Sequence, residues 1–276
     1  MKITVIPNTK TADGEAALTR VKQALAALDA TVLVSSQTVF PPSDMPRLLE
    51  ECDVAIAIGG DGTIIHTAKI AAAFGKPVLG INSGRLGFTA GLELSELAEL
   101  PRLITGDYET EERMLLDVTV EREQGVERYG ALNEAVISRG ALSRMIEVCV
   151  HNHDQPVSTY QADGVIVATP TGSTAYSLSA GGPIVDTALQ CLLLTPVCPH
   201  SLHSRPYIFG PDAKLTLIPN CTESPVYVTV DGESAIPVCT GEVIRVARSE
   251  TSARLIKLMQ KPFHQVLDHK LTNRRG

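Results

Sequence analysis

The sequence holds no tryptophan, and aromatic residues make up only 4% of its 276 positions, so it lacks the ring platforms on which single-stranded nucleic acid stacks. Lys and Arg form no cluster, and the formal charge, 24 − 31 = −7, gives no general attraction to a polyanion. Both observations argue against nucleic acid as a partner. Any anionic ligand must then be bound by local features. No apolar run approaches the ~18 residues of a membrane span, and Lys2–Pro7 enters a strand pattern without the apolar core of a signal peptide. The expectation is a soluble, cytoplasmic protein without a membrane partner. Six cysteines, Cys52, Cys149, Cys191, Cys198, Cys221 and Cys239, show no C-x-x-C spacing and are read as reduced structural thiols. The Walker A sequence, the H-E-x-x-H motif and the serine-hydrolase elbow are all missing, which removes P-loop, zinc-protease and serine-hydrolase readings.

What is present centres on Val54 to Thr63. Five apolar residues after Asp53 read as a buried strand, Gly59 and Gly60 as a tight turn, and Thr63 onward as a helix running towards Phe74. Glycines there allow close backbone approach, and the free N–H groups of a first helical turn favour an anion. Asp61 breaks the pattern of a passive phosphate cradle, because a carboxylate repels phosphate. Its presence points to proton transfer from a hydroxyl or to holding a cation. The plainer reading is a βα turn whose Asp caps the helix.

Around this stretch the chain alternates strand and helix: Lys2–Pro7, a helix over Asp13–Leu28, a strand over Thr31–Ser35, a short helix over Arg47–Glu51, and a strand over Val78–Ile81. That is the grammar of a parallel sheet covered on both faces. Ligands bind off the carboxyl ends of such strands, where a second glycine-rich loop, Asn82 to Phe88, also begins. Arg85 in that loop is either a phosphate contact or a solvated side chain. From Glu112 onward strands recur without helices, including Arg113–Glu121, Glu127–Arg139, Ile146–Val150, Gln155–Tyr160, Val165–Ala168, Lys214–Ile218, Val226–Val230 and Glu242–Arg248. The fold expected is thus an α/β N-terminal domain with a Rossmann-like parallel sheet, followed by an all-β, sandwich-like domain. The domains are placed at 1–105 and 106–255, with 256–276 as a C-terminal segment that returns to the first.

Three stretches of the second half are too polar or glycine-rich for ordinary core strands: Asn133-Glu134, Asp163-Gly164, and Thr169 to Pro183. Hydroxyls, glycines and Tyr176 together suit a nucleotide better than a lipid. Asp231-Gly232-Glu233 reads as a turn, and His151 to Asp154 as turn residues and not a metal cluster.

Taken together, Gly59-Gly60-Asp61-Gly62-Thr63, Leu86-Gly87-Phe88, Asn133-Glu134, Asp163-Gly164 and Thr169 to Gly182 closely resemble the NAD kinases, in order and in spacing. That family phosphorylates the 2′-hydroxyl of the adenosine ribose of NAD to give NADP. The first motif alone is shared with diacylglycerol and sphingosine kinases. By this resemblance Asp61 is the general base or orienter, and Gly59 to Thr63 form the phosphate loop, with Asp61 and Gly62 also near the substrate. Asn133 and Glu134 bind the ribose and dinucleotide. Asp163, Thr174, Ala175, Tyr176, Ser177 and Ser179 line its pockets, with Glu233 added to the set. Arg144 and Gln161 fall where the family places contacts from a neighbouring subunit, which implies a homodimer or homotetramer. ATP or polyphosphate is the implied donor and Mg2+ or another divalent metal the cofactor, with no metal ligand assigned. Gln161 departs from the basic residue or glycine that other members carry. A lipid kinase of the diacylglycerol type and a non-catalytic dinucleotide-binding regulator are the competing readings.

Overall fold

A computed structural model describes residues 1–10, 12–35, 40–84, 87–141, 144–220, 225–233, 235–260 and 262–273. The chain divides into two compact units, Met1–Arg113 with Ala253–Gly276, and Met114–Ser252.

The first unit contains β1 (Lys2–Pro7), α1 (Ala12–Ala26), β2 (Thr31–Val34), α2 (Met45–Glu51), β3 (Val54–Gly59), α3 (Asp61–Ala73), β4 (Pro77–Asn82), β5 (Leu92–Glu93) and α4 (Pro101–Thr105). Strand order is β2-β1-β3-β4, every pair parallel. All six residues of β3 are buried, which is why its sequence is a continuous apolar run without alternation. Ile3, Val5, Ile56, Ile58, Leu79 and Ile81 meet Val21 and Leu25 of α1 in one core. Each such side chain contributes about 1.5–3 kcal/mol through burial. The pairing of Gly59 with Asn82 puts the carboxyl ends of β3 and β4 side by side. The turn after β3 and the loop after β4 therefore leave the sheet at the same edge.

The second unit holds most of β6 (Glu109–Arg122), then β7 (Gly125–Ala131), β8 (Glu134–Arg139), β9 (Ile146–Asn152), β10 (Gln155–Ala162), β11 (Gly164–Ala168), α5 (Tyr176–Ser179), β12 (Leu192–Val197), β13 (Tyr207–Phe209), β14 (Lys214–Asn220), β15 (Val226–Val230), β16 (Ile236–Val238) and the first ten residues of β17 (Val243–Lys257). One antiparallel sheet runs β13-β12-β11-β8-β15-β16, and β10-β9-β14-β17 form the other face. Val165, Val167, Leu192, Leu194 and Val228 from the first meet Val148, Val150, Leu215, Leu217 and Val246 from the second in a shared core. This is the β-sandwich expected from strands without helices.

Beyond Ala253 the chain belongs to the first unit, where Arg254 and Leu255 of β17 pair in parallel with Pro77 and Val78 of β4. Ile256 and Leu258 join the core there, and α6 (Phe263–Asn273) follows.

Several elements differ from their sequence-based outlines. Helix α3 starts at Asp61, not Thr63, because Gly60 takes the extended N-cap conformation and leaves Asp61 in the first turn. The single strand expected over Glu127–Arg139 is two strands, broken at Leu132-Asn133. Strands β12, β13 and β16 fall in stretches to which the sequence reading assigned no element. The five described cysteines are free thiols; Cys52 and Cys191 are buried, which pushes both thiols up, whereas Cys198 and Cys239 are exposed. Cys221 lies outside the described residues. His151 to Asp154 fall at the β9–β10 turn, where His153 and Asp154 adopt positive φ of 46° and 64°.

Candidate active site

In the first unit, the end of β3 delivers Gly59 and Gly60 into α3. Asp61 and Gly62 occupy its opening turn, where backbone N–H groups precede the helical ladder, while Thr63 and Ile64 already donate to Gly60. Gly62 is exposed with open space around it, whereas Thr63 is buried and accepts a bond from Asn8 Nδ2 at 3.1 Å. The end of β1 is thereby tied to the turn.

Asp61 is held from the loop after β4. Its Oδ1 accepts the Thr89 N–H at 3.1 Å and the Thr89 hydroxyl at 2.6 Å, and its Oδ2 accepts the Phe88 N–H at 3.1 Å. Three donors fix the carboxylate in one orientation. The approach requires Gly87: a Cβ there would stand 2.2 Å from Asp61 Oδ1. Sequence reading found Gly87 and Phe88 but missed Thr89, whose position next to the motif was the available signal. Arg85 and Leu86 lie outside the described residues.

The second unit gathers a different cluster. Between β7 and β8 the chain turns at Leu132-Asn133, and the carboxylate of Asp231 meets that corner, accepting N–H bonds from Leu132, Asn133 and Glu134 at 2.8, 2.8 and 3.1 Å. Opposite, Thr169 donates its hydroxyl to Leu132 O at 2.6 Å and its N–H to Asn133 O at 2.8 Å. Gly172 packs against the same corner so closely that a Cβ would lie 2.2 Å from Asn133 O. The Asn133 Oδ1 and Glu134 Oε2 atoms are buried and accept no hydrogen bond. Burial first, and the Asp231 charge second, push the Glu134 carboxyl up to about 8.

The polar stretch after β11 is a 3-10 turn, Thr171–Thr174, followed by the single turn of α5. Its buried hydroxyls bond internally: Ser173 with Val185, Thr174 with Thr171 O, and Ser177 with Thr195 at 2.9 Å. They shape the segment, while Tyr176 and Ser179 are exposed and Ala175 is half-buried. Asp163, ahead of β11, pairs with Arg139 Nε at 2.6 Å. Gln161 is exposed on β10 and its carbonyl accepts the His200 N–H. Arg144 is exposed before β9, and Glu233 is exposed on the β15–β16 turn. Asp231, read from the sequence as a plain turn residue, is the organising residue of this corner. Among the described residues, no three His, Cys, Asp or Glu side chains gather as a metal-binding set.

In the first unit a glycine turn leads a buried parallel strand into a helix that holds one carboxylate in its opening turn. The family models for the ATP-NAD kinase N-terminal and C-terminal domains match residues 13–108 and 132–258. An NAD kinase of Symbiobacterium thermophilum is 46% identical over 224 residues, covering 80% of this chain and 79% of that protein. One from Moorella thermoacetica is 45% identical over 217 residues, 78% of this chain and 70% of its own length. Among solved structures, an NAD kinase from Archaeoglobus fulgidus in complex with ATP superposes with a TM-score of 0.78 at 27% identity over 99% of both chains. Yeast NADH kinase complexed with NADH shares the fold, with a TM-score of 0.84 at 21% identity over 100% of this chain and 89% of that one. The chain belongs to the NAD kinase family and is an NAD+ kinase that uses ATP as phosphoryl donor.

Proposed function

We propose that Asp61 is the residue on which phosphoryl transfer to the 2′-hydroxyl of the adenosine ribose of NAD depends. The observation that carries this is the seat of its carboxylate, oriented by three donors in the opening turn of α3. Phosphoryl transfer needs little covalent help; a fixed acceptor for the hydroxyl proton and backbone donors for the spreading charge supply most of it. Asp61 takes that proton or orients the hydroxyl, and the N–H groups of Asp61 and Gly62 face the transferred phosphate.

The dinucleotide is assigned to the second unit's polar corner. Asn133 and Glu134 offer the ribose their unpartnered oxygens, and Asp163, Thr174, Ala175, Tyr176, Ser177 and Ser179 line the base pockets. Glu233 belongs to the same set. Arg144 and Gln161 act on a neighbouring subunit's dinucleotide, in a homodimer or homotetramer. Magnesium fits the chemistry of the donor set: it is commonly held by one or two carboxylates plus substrate phosphates, and the Asp61 carboxylate is an oxygen donor of that kind. Asp61 and the phosphates of ATP would hold it, and when bound it neutralises charge on those phosphates. Polyphosphate is a second donor. The protein works in the cytoplasm, in keeping with the fact that no helix among the described residues is long and apolar enough to cross a membrane. The domains follow as 1–105 for the donor, 106–255 for NAD, and 256–276 as the returning segment.

Incubation with magnesium, ATP or polyphosphate, and either NAD or dispersed diacylglycerol tests this reading. NADP from NAD, with no phosphorylated lipid, supports it. Phosphorylated lipid alone, or NAD bound without turnover, overturns it.

A further inference from the structure

Every backbone polar group of Leu132, Asn133 and Glu134 is hydrogen-bonded. Asp231 takes the three N–H groups, Thr169 supplies donors to Leu132 O and Asn133 O, and the Asp231 N–H returns to Glu134 O at 2.9 Å. Asp231 reaches this geometry with a positive φ of 49°, a conformation that aspartate tolerates better than most residues. The side chains show the opposite state. Asn133 Oδ1 and Glu134 Oε2 are buried with no partner, a condition that costs about 1–3 kcal/mol for each atom and is relieved when a ligand group pairs with it. The corner's backbone is thus fixed from both sides, while two side-chain oxygens are left for something else.

We propose that Asp231 is a positioning residue of the dinucleotide site: its carboxylate locks the Leu132–Glu134 corner and so aims Asn133 Oδ1 and Glu134 Oε2 at the ligand. This rests on the assignment of that corner to NAD. The same carboxylate has an electrostatic effect. Together with burial, it keeps the Glu134 carboxyl protonated up to a pH of about 8, so that Glu134 offers an O–H donor and adds no charge near the ligand phosphates. From β11, Ala168 stands beside Glu134 and does not titrate, and β15 brings Val230 opposite Ala135. Asp231, at the end of β15, is the charged neighbour that acts on Glu134 among the described residues.

The test is steady-state kinetics from pH 6 to 9.5 for the wild type, Asp231→Asn and Asp231→Glu, with NAD affinity also measured by calorimetry. Asparagine keeps one acceptor oxygen, loses the charge and turns an amide towards an N–H. The expected result is a rise of roughly tenfold in KM for NAD, the equivalent of one lost hydrogen bond, with KM for ATP unchanged and kcat within about threefold. The alkaline limb of NAD affinity, near pH 8 in the wild type, should move down by about one unit in Asp231→Asn and stay in place in Asp231→Glu, which retains the charge. A lowered melting temperature with unchanged KM and an unmoved limb would make Asp231 merely structural and overturn the proposal. Should Asp231→Asn fail to fold, an unchanged KM in Asp231→Glu overturns it equally. If the wild type binds NAD but makes no NADP, the kinase reading fails, and calorimetry still decides the role of Asp231.

Discussion

Replacing Gly87 by alanine puts a methyl group where the structure has room for none. The new Cβ would lie 2.2 Å from Asp61 Oδ1, 2.9 Å from its Cγ and 3.2 Å from Oδ2. Ordinarily the end of a side chain moves aside at little cost. Here the carboxylate is held by the Phe88 N–H, the Thr89 N–H and the Thr89 hydroxyl, and it cannot swing away without releasing them. Bonds to a charged group are worth about 1.5–3 kcal/mol each and are not additive, so displacement should cost on the order of 2–5 kcal/mol. Shifting the loop instead carries Thr89 away from Asp61. Either response misplaces the group proposed to receive the ribose proton. A misplacement of about 1 Å commonly costs ~10² in rate, and full loss of a general base ~10²–10⁴. NADP formation at saturating NAD and ATP should therefore fall by at least ~10² in Gly87→Ala. NAD affinity by calorimetry should stay within about twofold, since Asn133 and Glu134 belong to the other unit. A variant that keeps wild-type turnover would refute the claim that the seat of Asp61 governs catalysis.

Three further outcomes follow from the same geometry. Glu134→Gln should stabilise the protein at pH 9 and change little at pH 5. Its folded value of about 8 exceeds its ordinary 4.5, so stability is full below 4.5, declines as pH rises, and is lowest above 8 by up to a few kcal/mol. An equal melting-temperature difference at both pH values contradicts this. Gly172→Ala, whose Cβ would press on the carbonyl of Asn133 at 2.2 Å, should raise KM for NAD more than it changes KM for ATP and lower the melting temperature by a few degrees; equal effects on both substrates would count against the assigned corner. Removal of divalent metal by chelation should abolish NADP formation, and magnesium should restore it; full activity in the presence of chelator would contradict the assigned metal role.

How far the sequence could be read depended on how local the causes were. The run VAIAIG has one explanation, a strand buried on both faces, and the structure buries all six of its residues. The second unit's alternating strands gave the sandwich for the same reason. Strands β13 and β16 are three residues each and carry no periodicity to detect, while β12 (Leu-Leu-Leu-Thr-Pro-Val) is buried throughout and shows no alternation. The break at Leu132-Asn133 depends on Asp231, about a hundred positions away, and no local pattern announces such a partner. Likewise the hydroxyls of Thr169 to Ser177 suggested ligand donors, but Ser173, Thr174 and Ser177 bond within the protein. Thr89 and Asp231 were missed because their roles are relations between loops, not motifs.

The most direct test of the central claim compares the wild type with Asp61→Asn in NAD, ATP and magnesium, reading NADP with a dehydrogenase that accepts only the phosphorylated cofactor. NADP should form with the wild type and ~10²–10⁴ times more slowly with Asp61→Asn, at equal NAD affinity by calorimetry. Equal rates in the two proteins would contradict the role of Asp61, and no NADP from well-folded wild type with either ATP or polyphosphate would contradict the activity itself.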